Sequence, residues 1–222
     1  MDQGPKSYWA EFLGTFTLCF IGQGAIVLQH IRGTDDLLTI ALAHGIALAV
    51  MVSALASTSG AHFNPAVTLG FVLTGRQSWT SAITYWISQL LGAVVASFLL
   101  RAAVPGVAGD AVHYGVPMVA AGVSTSQAIL MEFILTFFLV TAVWGTLVDE
   151  RGPRVGGFAI GLAFAMGILV GGPLTGAALN PARAFGAAVV SGTWSLHWIY
   201  WLAPMLGGVA AARAYKNVVL AR

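Results

Sequence analysis

The sequence predicts an all-α integral membrane protein with six transmembrane helices, two re-entrant half-helices and an inverted internal repeat. Three observations lead there. Of the 222 residues, 58% are hydrophobic and only 8% charged, against roughly a quarter charged in an ordinary soluble domain. Windows of about 20 residues give six apolar spans, at residues 8–28, 37–57, 80–100, 127–148, 155–171 and 197–215. The tripeptide Asn-Pro-Ala occurs twice, in HFNPAVTLG (62–70) and LNPARAFG (179–186), where the flanks are too apolar for solvated loops.

The bulk numbers exclude several function classes. A net charge of +2 gives no basic surface for nucleic acid. The single cysteine, Cys19, has no internal disulfide partner and sits in an apolar run, where packing is its expected role. Glu11 interrupts the first apolar stretch and no small-residue cleavage site closes it, so no cleavable signal peptide is expected. The five histidines (30, 44, 62, 113 and 197) are scattered, with no metal-ligand cluster and no nucleophile constellation. Neither an enzyme nor a cofactor or metal is therefore expected. Loops read as short, and no linker or low-complexity segment divides the chain, which predicts one membrane domain over 1–222.

Orientation follows from the positive charges. With a cytoplasmic N-terminus, the inner side holds Lys6, Arg76, Arg151, Arg154, Arg213, Lys216 and Arg222, and the outer side only Arg32 and Arg101. Both termini are read as cytoplasmic.

The chain repeats itself. AEFLGTF (10–16) matches MEFILTF (131–137) at an offset of 121, the two Asn-Pro-Ala segments lie 116 apart, and YWISQLLGAVVA (85–96) matches YWLAPMLGGVAA (200–211) at 115. Each copy holds three spans, an odd number, so the second must enter the membrane from the opposite side. This is the inverted repeat of many transport proteins, with halves near 1–112 and 113–222.

Pro65 and Pro181 suit the first position of a helix, and Asn64 and Asn180 suit the cap before it. Ala66 and Ala182 then begin apolar runs of about ten residues, which make helices of roughly 15 Å, half the ~30 Å hydrocarbon core. Each dips in and turns back. The Gly-rich approaches STSGAH and GGPLTGA are expected to be extended. Non-helical backbone at this depth survives only inside protein or along a water-filled cavity. Two inverted half-helices meeting head to head would bring their positive ends together. The result is a narrow aqueous pore with carbonyls and Asn amides along one stripe and a central field that repels cations.

Glu11 and Glu132 are the acidic residues well inside spans. Intramembrane carboxylates are costly and functional by default. Proton carriage is one reading. The favoured one is a pair of buried acceptors for backbone donors of the two dipping loops.

The duplicated Asn-Pro-Ala, the six spans and the paired Glu resemble the aquaporin (major intrinsic protein) family over essentially the whole chain. That resemblance implies the aquaporin fold, a homotetramer with one pore per monomer, and selectivity by pore width, lining groups and electrostatic barriers. It implies that Arg183, three residues after Asn180, is the arginine of the outer constriction, joined by His44, Ile168 and Ala177. Strict water channels of the family usually place an aromatic on the second span and His on the fifth. His-Ile-Ala-Arg instead resembles the vacuolar-membrane aquaporins of plants, some of which also pass ammonia, urea or hydrogen peroxide. Both the imidazole and the guanidinium are expected to offer donors to solute. His62 is expected to line the cytoplasmic half of the pore. The third outer loop places Pro117 where some ammonia-passing relatives have His, with His113 four residues earlier. Glycerol channels usually carry Asp just after the second Asn-Pro-Ala-Arg, where this chain has Ala184 and Ala188. The family's mercury-sensitive Cys is replaced by Ala177.

The expected function is passive conduction of water, with small neutral solutes such as ammonia sharing the route. The expected partners are water, these solutes, membrane lipid and further copies of the chain. Gly92, Gly207 and Gly208 allow close helix packing and so lend loose support to tetramerisation. A glycerol facilitator is the alternative within the class, and a secondary transporter with broken helices the alternative outside it. Short termini and loops suit a prokaryotic cell membrane.

Overall fold

The computed structural model describes residues 4–221 and, among them, holds helices and no strand. Arg222, counted above on the inner side, lies outside them. Nine α-helices follow in order: α1 Pro5–Ile31, α2 Leu37–Ser59, α3 Pro65–Leu73, α4 Trp79–Ala103, α5 Gly106–Ala111, α6 Thr125–Val143, α7 Gly156–Thr175, α8 Pro181–Ser191 and α9 Ile199–Ala214. Five of them (α1, α2, α4, α6 with the π turn Trp144–Val148, and α7) are long and apolar enough to cross a membrane. The sixth, α9, has 16 α-helical residues and is prolonged by the π turn Tyr215–Val219. The protein is an integral, multi-pass membrane protein.

Local chemistry sets the boundaries. Pro5 starts α1. The Asp36 carboxylate caps α2 by accepting from Leu38 N at 3.0 Å and Thr39 N at 3.3 Å. Ser78 caps α4, and Ser124 with Gln127 forms a reciprocal capping box on α6. Gly60 (φ 84°) and Gly176 (φ 77°) end α2 and α7 in the left-handed region, which glycine adopts without steric cost.

These two glycines correct the expected approach segments. Residues 57–59 and 171–175 are helical, so the extended pieces shrink to four residues each, 60–63 and 176–179. At membrane depth a helix satisfies its own backbone, and α7 runs through Pro173 until Gly176 N reaches the Gly172 carbonyl at 3.0 Å. The loops are also not uniformly short, because the segment between α4 and α6 carries α5 and a 3₁₀ turn at His113–Gly115.

The two halves interlock. Helices α1, α2, α3 and α4 correspond to α6, α7, α8 and α9. Helix α1 packs on α4 as α6 packs on α9, and α2 packs on α7 across the pseudo-twofold axis. The half-helices are exchanged: α8 packs on α4 of the first half, and α3 on α9 of the second. The glycines offered above as oligomer contacts are used inside the monomer. A Cβ on Gly92 would sit 2.4 Å from the Phe12 carbonyl oxygen, one on Gly207 2.2 Å from that of Phe133, and one on Gly208 2.8 Å from that of Ala66. They bring α1 to α4, α6 to α9 and α3 to α9, so they carry no argument for tetramerisation. Large apolar side chains such as Ile46, Phe98 and Phe158 face outward, as lipid contact requires.

The outer end of each half-helix receives a cation. Lys216 Nζ donates to the Thr74 carbonyl at 2.9 Å, and Arg101 Nη1 to the Val190 carbonyl at 3.3 Å. The acceptors are related by the repeat offset of 116 and the donors by 115. A positive charge at a helix C-terminus offsets the dipole, and here it does so for α3 on one membrane face and α8 on the other.

Candidate pore and selectivity site

Asn64 and Asn180 cap the half-helices and also tie them together. Asn64 Oδ1 accepts from Ala66 N at 2.8 Å, and Asn180 Oδ1 accepts from Ala182 N at 3.0 Å and Arg183 N at 3.4 Å. Each Nδ2 crosses to the other half: Asn64 to the Leu179 carbonyl and Asn180 to the Phe63 carbonyl, both at 2.8 Å. The two N-termini therefore meet head to head. An amide nitrogen carries two N–H donors, and this pairing uses one from each Asn.

The approach strands are held in a conformation they would not choose. Ala61 (φ 51°), Phe63 (49°), Ala177 (44°) and Leu179 (52°) all lie in the left-handed region without being glycine. The two intramembrane carboxylates oppose their relaxation. Glu11 accepts from Ser59 Oγ (2.7 Å), His62 N (2.9 Å), Phe63 N (2.7 Å) and Gln89 Nε2 (2.7 Å). Glu132 accepts from Thr175 Oγ1 (2.7 Å), Ala178 N (2.9 Å) and Leu179 N (2.9 Å). Both are fully buried. Tyr85 and Tyr200 complete the symmetric brace, donating to the Ser59 and Thr175 carbonyls at 2.8 Å. These tyrosines, and Ser59 and Thr175 five residues before each Asn, were missed in the sequence reading. The signal was present, since Tyr85 and Tyr200 open the matched Tyr-Trp segments. Gln89 has no such signal, because its repeat equivalent is Pro204.

Arg183 sits one turn into α8 and is 2% exposed. Its Nη1 donates to the carbonyls of Gly176 (3.4 Å) and Ala177 (3.3 Å), and its Nε to His44 Nε2 at 3.2 Å. Among the described residues the one ion pair is Arg151–Asp149, so no carboxylate bridges the guanidinium, and its side-chain hydrogen bonds go to neutral acceptors. His44 Nδ1 lies 2.9 Å from the Ile40 carbonyl. The two neighbours fix the tautomer: Nδ1–H donates to Ile40, and the Nε2 lone pair accepts from Arg183. This corrects the expectation that the imidazole offers a donor to solute, because both ring nitrogens are engaged within the protein. Ile168 and Ala177 are buried together with Leu179 in the main apolar cluster. Pro117 packs against Gly176, beside the strand that holds Arg183. His113 is instead paired with Thr193 Oγ1 at 3.2 Å.

On the His62 side of the paired half-helices, Asn64, Asn180 and His62 share a narrow space with apolar walls from Leu48, Val67, Ile160 and Phe164. The room there for the centre of a water-sized sphere is about 10 Å³, close to what one water requires. His62 Nδ1 is 3.1 Å from Thr68 Oγ1, and its ring lies 4.1 Å from that of Phe71. Cys19 is buried behind α8 with Ala93, Ala96 and Ala182.

The family profile described as "Major intrinsic protein" matches residues 3–215. The chain belongs to the major intrinsic protein family. Probable aquaporin TIP3-2 of Arabidopsis thaliana is 45% identical over 95% of this chain and 82% of its own length. Aquaporin TIP4-1 of the same plant is 43% identical over 98% of this chain and 87% of its own length. Among solved structures, the X-ray structure of the aquaglyceroporin from Plasmodium falciparum superposes with a TM-score of 0.88 at 27% identity, covering 96% of each chain. Membership of the major intrinsic protein family points to a channel.

Proposed function

We propose that the protein is a passive, two-way water channel whose pore runs past Asn64, Asn180 and the Arg183 constriction. The observation that carries this is the head-to-head pair of half-helices, joined by reciprocal Asn bonds with one amide N–H left over on each. Water passes in single file, accepting from those N–H groups and from Arg183 and donating to carbonyls of the approach strands. His62 takes part on the cytoplasmic side. The relatives printed as aquaporins support water as the solute.

His44, Ile168, Ala177 and Arg183 form the filter in this reading. Ions are excluded because the pore is too narrow for a hydration shell and because the unpaired Arg183 and two helix N-termini make its field positive. Protons are excluded by the same field and by the orientation the two Asn amides impose on the central water. Ammonia and other small neutral solutes share the route. The unit is a single membrane domain with halves meeting near residue 112, assembled as a homotetramer in lipid, with both termini cytoplasmic. The relatives named above are plant proteins and lend no support to a prokaryotic cell membrane.

The test is Arg183→Val in proteoliposomes. Larger neutral solutes such as glycerol, and ions, should then pass; unchanged solute and ion fluxes would remove Arg183 from the filter. Flux that saturates, or that follows a proton gradient, would favour a coupled transporter over a channel.

A further inference from the structure

The His44 ring is enclosed on every side that the structure describes. The Ile40 carbonyl holds Nδ1 and Arg183 holds Nε2. Phe164 stacks at 6.0 Å between centroids, 15° from parallel. The remaining side is α1, at Gly22. A Cβ on Gly22 would lie 2.2 Å from both Cδ2 and Nε2 of His44 and 2.7 Å from Cε1. The atom that accepts from Arg183 is therefore wedged between the α1 backbone and the guanidinium. Gly22 is buried and its helix is regular there, so no left-handed turn requires glycine at this position. The requirement comes from the imidazole.

We infer that Gly22 is a specificity-determining positioning residue: its missing side chain seats His44, and His44 in turn holds Arg183 aside through Nε. This rests on the reading of Arg183 as the filter arginine. Neither Gly22 nor His44 contributes a hydrogen bond to the solute in this arrangement. Both act on it through the guanidinium. A methyl at position 22 displaces the imidazole toward Arg183 and narrows the passage. Removing the imidazole frees Nε and leaves a void, which widens it. The two effects have opposite signs and a common origin, so they should not add.

The experiment compares wild type, Gly22→Ala, His44→Ala, Gly22→Ala/His44→Ala and Arg183→Val in liposomes, using stopped-flow water and urea permeabilities. Gly22→Ala should lower water permeability about three- to tenfold, the rate equivalent of a displaced rotamer. His44→Ala should raise the urea-to-water ratio. The double variant should match His44→Ala within about twofold, because removing the imidazole leaves the new methyl room. If Gly22→Ala alone fails to fold, recovery of folded protein in the double variant reports the same steric coupling. A Gly22→Ala channel with wild-type permeabilities, an equal loss in both backgrounds, or a double variant that also fails to fold would each overturn the inference. An Arg183→Val channel with an unchanged ratio would sink the filter reading itself. A changed ratio in Arg183→Val beside an unaffected Gly22→Ala would sink only the role of Gly22.

Discussion

Replacing Glu132 tests the brace on the second approach strand, and two substitutions grade the effect. In Glu132→Gln the retained oxygen can still accept from Thr175 and Ala178, but an NH₂ group now faces the Leu179 N–H. One buried backbone donor is orphaned, a loss of about 1–3 kcal/mol. In Glu132→Ala both Ala178 N and Leu179 N lose their acceptor, while Thr175 Oγ1 can turn to the Gly171 carbonyl, 3.3 Å away. Two orphaned donors come to about 2–6 kcal/mol on the same scale. The strand also stores strain, since Ala177 and Leu179 sit in the left-handed region at about 1–3 kcal/mol each. Without the carboxylate that strain relaxes by moving the Ala177 carbonyl, which is one of the acceptors of Arg183. Thermal unfolding in detergent and water permeability in liposomes should therefore fall in the order wild type, Gln, Ala. Glu132→Ala with wild-type midpoint and permeability would refute the reasoning, and so would a Gln variant worse than Ala.

Four further outcomes follow from the geometry. Lys216→Met and Arg101→Met should each destabilise one half-helix by about 0.3–1 kcal/mol, the scale of a charge at a helix end, read as faster hydrogen exchange confined to α3 or α8 respectively. Beyond the π turn that follows α6, Arg151 donates to both oxygens of Asp149 at 2.8 Å and to the Val219 carbonyl at 3.0 Å, and it holds the Asp149 carboxyl below the ordinary aspartate range. A depressed carboxyl contributes stability that is present above its unfolded value, near 4, and lost as pH falls through the lower folded one. Hydrogen-exchange protection of residues 215–219 should thus be flat from pH 8 to about 5 and decline only in stronger acid, whereas Asp149→Asn should lose it at neutral pH. Mercury should inhibit weakly, because Cys19 is buried behind α8 and position 177 is alanine; strong block abolished by Cys19→Ala would contradict that.

The architecture was legible where the sequence breaks its own rules. Asn-Pro inside apolar runs can only start a helix, and a ten-residue helix cannot span, so the half-helices followed from length. Three aligned segments with odd span counts gave the inversion. Of the candidate filter residues, the structure joins Arg183 to His44 and to the Ala177 carbonyl, and buries Ile168 in the same cluster as Ala177. What could not be read was set by three-dimensional neighbours. The Gly-rich approach to Asn180 looks extended, yet α7 continues through Pro173 because nothing else at that depth would satisfy its backbone. The glycines at 92, 207 and 208 look like outward packing, but only the folded chain shows which backbone approaches them. The role of His44 turned on which atom each ring nitrogen meets, which spacing does not encode. Gln89 carries no repeat mark at all, since its equivalent is Pro204.

Osmotic shrinkage of proteoliposomes measures directly whether the chain forms an open water pore. Stopped-flow light scattering across a range of temperatures should show water flux well above that of bare lipid, with the low activation energy of water moving through a continuous file. Folded, reconstituted protein whose flux equals that of bare lipid, with the lipid's activation energy, would contradict an open pore.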